Sequence, residues 1–99
     1  MTEREARARL DEFRTVIDDV DRRIVGLLND RTRVVEEIGR VKREAQLPIY
    51  EPKREEQVFA NITGCNHGPL DPAAVKRIFE RIIDEMRQIQ RERMETGAK

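Results

Sequence analysis

The most constraining feature of the chain is an apolar stripe between residues 10 and 41. Leu10, Phe13, Ile17, Val20, Ile24, Leu27, Val34, Ile38 and Val41 recur there at steps of three and four. The one wider gap, between Leu27 and Val34, closes if Arg31 is counted in the stripe. This period is that of one face of an α-helix. The stretch therefore predicts one long amphipathic helix with a cation where its core face calls for leucine. Arg14 and Lys42 fall on a neighbouring row with Asp21, Leu28 and Val35.

Length turns this helix into an argument about assembly. Between residues 10 and 44 only Gly39 disfavours the helix, at about 1 kcal/mol relative to alanine. A glycine there is either simply tolerated or marks close approach of a backbone or ligand. Some 35 helical residues make a rod of about 50 Å, whereas a compact 99-residue domain has a radius of gyration of about 13 Å. The remaining residues cannot cover such a rod. A second copy is expected to cover the apolar stripe, giving an obligate homodimer.

The rest of the chain predicts two shorter helices. Residues 46–52 form a break with Pro48 and Pro52. Pro52 suits the first position of a second helix, where its missing N–H costs nothing. Glu51 then lies near the N-cap, and Glu55 and Glu56 complement the helix dipole. This helix is expected to end near Thr63, with Val58, Phe59 and Ile62 as its apolar face. Glu55 projects into the middle of that face and Arg54 sits at its edge. Residues 64–70 are a loop. Asp71 is the expected cap and Pro72 the first residue of a third helix. Its stripe is Val75, Ile78, Phe79, Ile82, Ile83, Met86 and Ile89, and it is expected to end near Arg93. Gln90 falls on the apolar side, among Phe79, Ile83 and Met86. The expected fold class is all-α: a three-helix chain with one long N-terminal helix, intertwined as a homodimeric helical bundle. Residues 1–99 are expected to be one domain, with 1–9 an N-terminal extension and 95–99 a flexible tail.

Composition removes several function classes. Twenty basic and twenty acidic residues balance, with a pI near 6.6, so no net positive field favours nucleic acid. No apolar run approaches the roughly 20 residues of a membrane span, and the charged N-terminus lacks a signal-peptide core. A cytoplasmic location is expected. Cys65 is the one cysteine and His67 the one histidine. Without further ligands they do not make a metal site. Sixteen of the twenty cations are arginine, which suits bidentate recognition of carboxylates.

Four polar groups break the binary pattern: Arg31, Glu55 and Gln90 on apolar faces, and Lys42 beside one. Burying an unpaired charge is costly. Any one of them is readily explained by an internal partner, such as an Arg31–Glu55 pair. Four from three helices point instead to a polar pocket inside a bundle. Two or three cations with a carboxylate and an amide suit a small, multiply anionic ligand bearing a hydroxyl or ether. Arg31 and Lys42, eleven residues apart, share a face about 16 Å apart along the axis. Arg14 lies about 25 Å from Arg31 and about 100° around the helix. It is better placed to reach the site of a second copy.

In this arrangement the chain resembles the all-helical class of chorismate mutases. The resemblance rests on Arg14, Arg31 and Lys42 in register along the long helix, with Asp21 and Gly39 at framework positions. Glu51, Arg54 and Glu55 match at the start of the second helix and Gln90 late in the third. It covers about residues 10–93.

The resemblance implies an intertwined dimer with two shared sites, which converts chorismate to prephenate by a Claisen rearrangement without cofactor or covalent intermediate. It implies that Arg31 and the partner subunit's Arg14 hold the two substrate carboxylates, with Arg54 nearby. Lys42 and Gln90 would hydrogen-bond the ether oxygen. Glu55, with the backbone near Glu51, would bind the ring hydroxyl. Catalysis by positioning and fixed charge suits such a reaction. Met86 departs from the pattern, standing where a serine near a substrate carboxylate is frequent. Residues 66–70 and the Tyr50-Glu51-Pro52 segment resemble versions fused to, or working with, the first enzyme of the aromatic pathway, DAHP synthase. That implies modest activity for the chain alone. Isochorismate-pyruvate lyase shares the fold and the cationic set, but Glu55 favours the mutase. A non-catalytic regulatory dimer of an aromatic-pathway enzyme and a purely structural coiled coil are the other readings.

Overall fold

The computed structural model describes the backbone of residues 1–96 and the side chains of residues 1–93. It contains three α-helices: α1 (Glu3–Ala45), α2 (Pro52–Gly64) and α3 (Pro72–Thr96). Helix α1 starts at Glu3, so residues expected as a polar extension belong to it. Helix α3 runs to Thr96, beyond the expected end near Arg93. Of the expected tail, residues 97–99 lie outside the described residues.

The helix boundaries follow from local chemistry. Thr2 caps α1 by accepting the Glu5 N–H on its hydroxyl oxygen at 3.1 Å. Glu3 and Glu5 in the first turn and Lys42 and Arg43 in the last oppose the dipole at both ends. The stop is a Schellman turn. Gln46 takes a left-handed φ of 56°, its N–H bonds Arg43 O at 3.2 Å, and the Leu47 N–H bonds Lys42 O at 2.7 Å. Pro48 follows, where the helix can no longer continue. Pro52 opens α2 and Glu51 is its N-cap by position, but the Glu51 side chain makes no capping hydrogen bond. Asp71 caps α3, its Oδ1 accepting the Ala73 N–H at 3.2 Å.

The chain divides into two compact units, Met1–Arg33 and Val34–Lys99. The first is the N-terminal part of α1. Its apolar residues are largely exposed: Phe13 by 59%, Ile17 by 55% and Leu27 by 66%. The second holds the end of α1 with α2 and α3, and its core is Val35, Val75, Ile83 and Met86. Lys42 and Gln90 are buried with them. Glu36 on α1 and Arg93 on α3 pair at 2.6 Å, which ties those helices at the unit's edge.

Candidate active site

The second unit gathers most of the expected site residues. Lys42 projects from the last turn of α1, and its side chain is only 11% exposed. Its ammonium donates to Ile49 O at 2.8 Å and pairs with Glu51 Oε1 at 3.0 Å. The Lys42 carbonyl meanwhile takes the Leu47 N–H of the Schellman turn. One residue therefore fixes the α1–α2 connection through both backbone and side chain. This also explains why Glu51 leaves the α2 amides uncapped: its carboxylate is turned to Lys42. An ammonium has three donors, and the two described partners leave one for a ligand.

Gln90 reaches the same region from α3. Its side chain packs toward Gly39, which sits one turn before Lys42 on α1. A Cβ built on Gly39 would lie 3.7 Å from Gln90 Cγ, an ordinary contact distance. A side chain therefore fits at position 39: its nearest neighbour is the Gln90 side chain and not another backbone, which agrees with a glycine that is simply tolerated there. Gln90 Oε1 is buried and has no hydrogen-bond partner among the described residues. Such an orphan costs about 1–3 kcal/mol, and a half-turn about the amide torsion presents Nε2 in its place.

Glu55 is half-buried on α2, as its place on the apolar face predicted. Its Oε2 accepts a hydrogen bond from Arg87 Nη2 on α3. The Arg87 guanidinium also stands 5.1 Å from the centroid of the Tyr50 ring, a cation–π distance. Arg87 was missed in the sequence. The available signal was its spacing, four residues after Ile83 and three before Gln90, which puts it at the border of the α3 apolar face. Met86 beside it is buried in the core. Arg54 is exposed and donates to Gln57 Oε1 at 3.3 Å.

The other two expected cations belong to the first unit. Arg14 is exposed, 3.7 Å from Asp11. Arg31 is partly buried, unlike most of its neighbours on that part of α1. Among the described residues no cluster of His, Cys, Asp and Glu could hold a metal ion. What the second unit offers is a buried cation, a buried amide and a half-buried carboxylate, each with hydrogen-bonding capacity left for a ligand.

Comparison with known proteins identifies the family. The family model for chorismate mutase type II matches residues 13–91. The bifunctional chorismate mutase/prephenate dehydratase of Aquifex aeolicus is 37% identical over 78 residues, covering 75% of this chain and 22% of that protein. The chain thus spans about a fifth of the length of such bifunctional relatives. A 4-amino-4-deoxychorismate mutase of Streptomyces pristinaespiralis is 31% identical over 90 residues, covering 89% of this chain and 69% of that protein. Among solved structures, chorismate mutase (form II) of Thermus thermophilus superposes with a TM-score of 0.82 at 37% identity, covering 84% of this chain and 94% of that one. By its helical architecture, its polar groups in the α1–α2–α3 unit and the match over residues 13–91, the chain belongs to the chorismate mutase type II family.

Proposed function

We propose that the chain is a chorismate mutase, an isomerase that converts chorismate to prephenate. The observation that carries the reading is the unspent hydrogen-bonding capacity of Lys42 and Gln90, buried on facing helices either side of Gly39. A fold retains such groups at a cost to stability when they act on a ligand. In this reaction one C–O bond breaks as one C–C bond forms, and no proton moves. The ether oxygen gains negative charge on the way. Lys42 and the Gln90 amide donate to it, and in a water-poor site such donors are strong and need no reorganisation. Arg31 and the partner subunit's Arg14 clamp the two carboxylates and hold the folded reactive conformer, with Arg54 as a further guanidinium. Glu55 and the backbone at Glu51 take the ring hydroxyl. Met86 lines the carboxylate side without a hydroxyl of its own. No cofactor enters the scheme.

The site is completed by a homodimer. Its support is the exposed stripe of α1, where Leu10, Phe13, Ile17, Ile24 and Leu27 are each at least 46% exposed. An exposed apolar stripe of this kind is a surface suited to a second protein chain. No helix among the described residues is long and apolar enough to cross a membrane, and a cytoplasmic location is proposed. DAHP synthase is the proposed partner enzyme, docking near the exposed Tyr50 and Leu70.

The similarity to a 4-amino-4-deoxychorismate mutase raises a second substrate, with an amine in place of the ring hydroxyl. The deciding experiment is a prephenate-formation assay on the isolated protein, run beside pyruvate release from isochorismate. Prephenate as the main product is expected. Pyruvate as the main product, or no turnover at any substrate concentration, overturns the reading.

A further inference from the structure

Arg87 has no part in the scheme above, yet it is held by groups from three segments. Its Nη2 donates to Glu55 Oε2 on α2. Its Nη1 lies 3.6 Å from Asp84 Oδ1, three residues earlier on α3. Its guanidinium faces the Tyr50 ring, just ahead of α2. The Arg87 and Glu55 side chains are 22% and 23% exposed, so solvent screens this pair less than a surface pair. Asp84, at 60% exposed, faces solvent. The neighbouring carboxylate, Glu51, is already paired with Lys42. Glu55 is therefore neutralised on one oxygen, while Oε1 has no protein donor among the described residues.

We propose that Arg87 is a specificity-determining residue, which makes Glu55 an acceptor for a neutral hydroxyl and disfavours a protonated amine at the same ring position. The proposal rests on the mutase reading, with Glu55 at the substrate's ring substituent. A bare carboxylate attracts an ammonium with its full charge and gives a hydroxyl only a hydrogen bond. A permanently charged guanidinium on the other oxygen cancels most of that attraction and repels the ammonium directly. A hydroxyl loses little, because it needs only the lone pairs of Oε1. The discrimination arises from opposing charge and not from shape, which separates two substituents of nearly equal size.

The test compares kcat/KM for chorismate and for 4-amino-4-deoxychorismate at neutral pH. The proteins are the wild type, Arg87→Met, Arg87→Lys and, as a second neutral replacement should the first not fold, Arg87→Gln. Where the amine turns over too slowly, its inhibition constant against chorismate reports the same preference. The neutral variants are expected to lower the chorismate-to-amine ratio at least about tenfold, chiefly through KM. Arg87→Lys, which keeps the charge, is expected to hold the ratio within about threefold of wild type. If both activities fall together and the ratio is unchanged, Arg87 is only structural and the proposal is overturned while the mutase reading stands. If the wild type forms no prephenate, both fall, and that result is visible before any variant is made.

Discussion

Replacing Gln90 by methionine is expected to stabilise the protein while disabling it. Methionine matches glutamine in length and fills the same space against Gly39, but has no amide. In the folded chain Gln90 is 9% exposed and its Oε1 has no described partner. Removing a buried orphan of this kind returns about 1–3 kcal/mol. Loss of any bond made by Nε2 offsets part of it, leaving a net gain of about 1 kcal/mol. For a domain of this size that is a rise in Tm of about 4–8 °C, read at matched protomer concentration because assembly contributes to apparent stability. On the proposed mechanism the same substitution removes a donor to the ether oxygen as it gains negative charge. One such donor is worth about 10²–10³ in rate, or about 2.7–4 kcal/mol. Thermal unfolding followed by circular dichroism and steady-state loss of chorismate measure the two effects on one preparation. Gln90→Met with a lowered Tm and intact kcat/KM would refute the reasoning, because Gln90 would then be a packing residue whose amide is satisfied.

Other outcomes follow from the same geometry. Lys42→Ala is expected to lower kcat/KM at least about 10²-fold and, by leaving Ile49 O and Glu51 without their donor, to destabilise the fold by about 1–3 kcal/mol; denaturant titration and kinetics check both. Mixing inactive Arg14→Ala and Arg31→Ala chains is expected to restore one intact site per heterodimer, so absence of recovered activity after confirmed subunit exchange removes the cross-chain role of Arg14. Gly39→Ala places a methyl group at ordinary contact distance from Gln90 and is expected to raise stability by about 0.5–1 kcal/mol through helix propensity; a drop of similar size would show a neighbour unable to give way.

Local signals were legible because they depend on residues close together in the chain. The period of three and four located all three helices. Pro52, Asp71 and Pro72 marked the starts of α2 and α3, where a ring without an N–H or a capping carboxylate has a unique advantage. The burial of Lys42 and Gln90 and the half-burial of Glu55 were also readable, since each sits on or beside an apolar face. The end of α1 was less distinct. Gln46 adopts a left-handed φ without being glycine, and its side chain gives no warning of that. Helix α3 runs past the expected end near Arg93 to Thr96, because no glycine or proline stands between them to stop it.

What the sequence alone determined is the set of helices, the unusual length of the first and the polar residues that sit on or beside their apolar faces. What only the tertiary structure decided is how those polar groups are spent. Lys42 holds Ile49 and Glu51, Glu55 takes Arg87, and Gln90 keeps an oxygen without a partner among the described residues. Periodicity fixes which face a side chain occupies, because that depends only on rotation about one helix axis. Pairing across helices depends on where separate axes lie in space, and a chain read along its length carries no such coordinate.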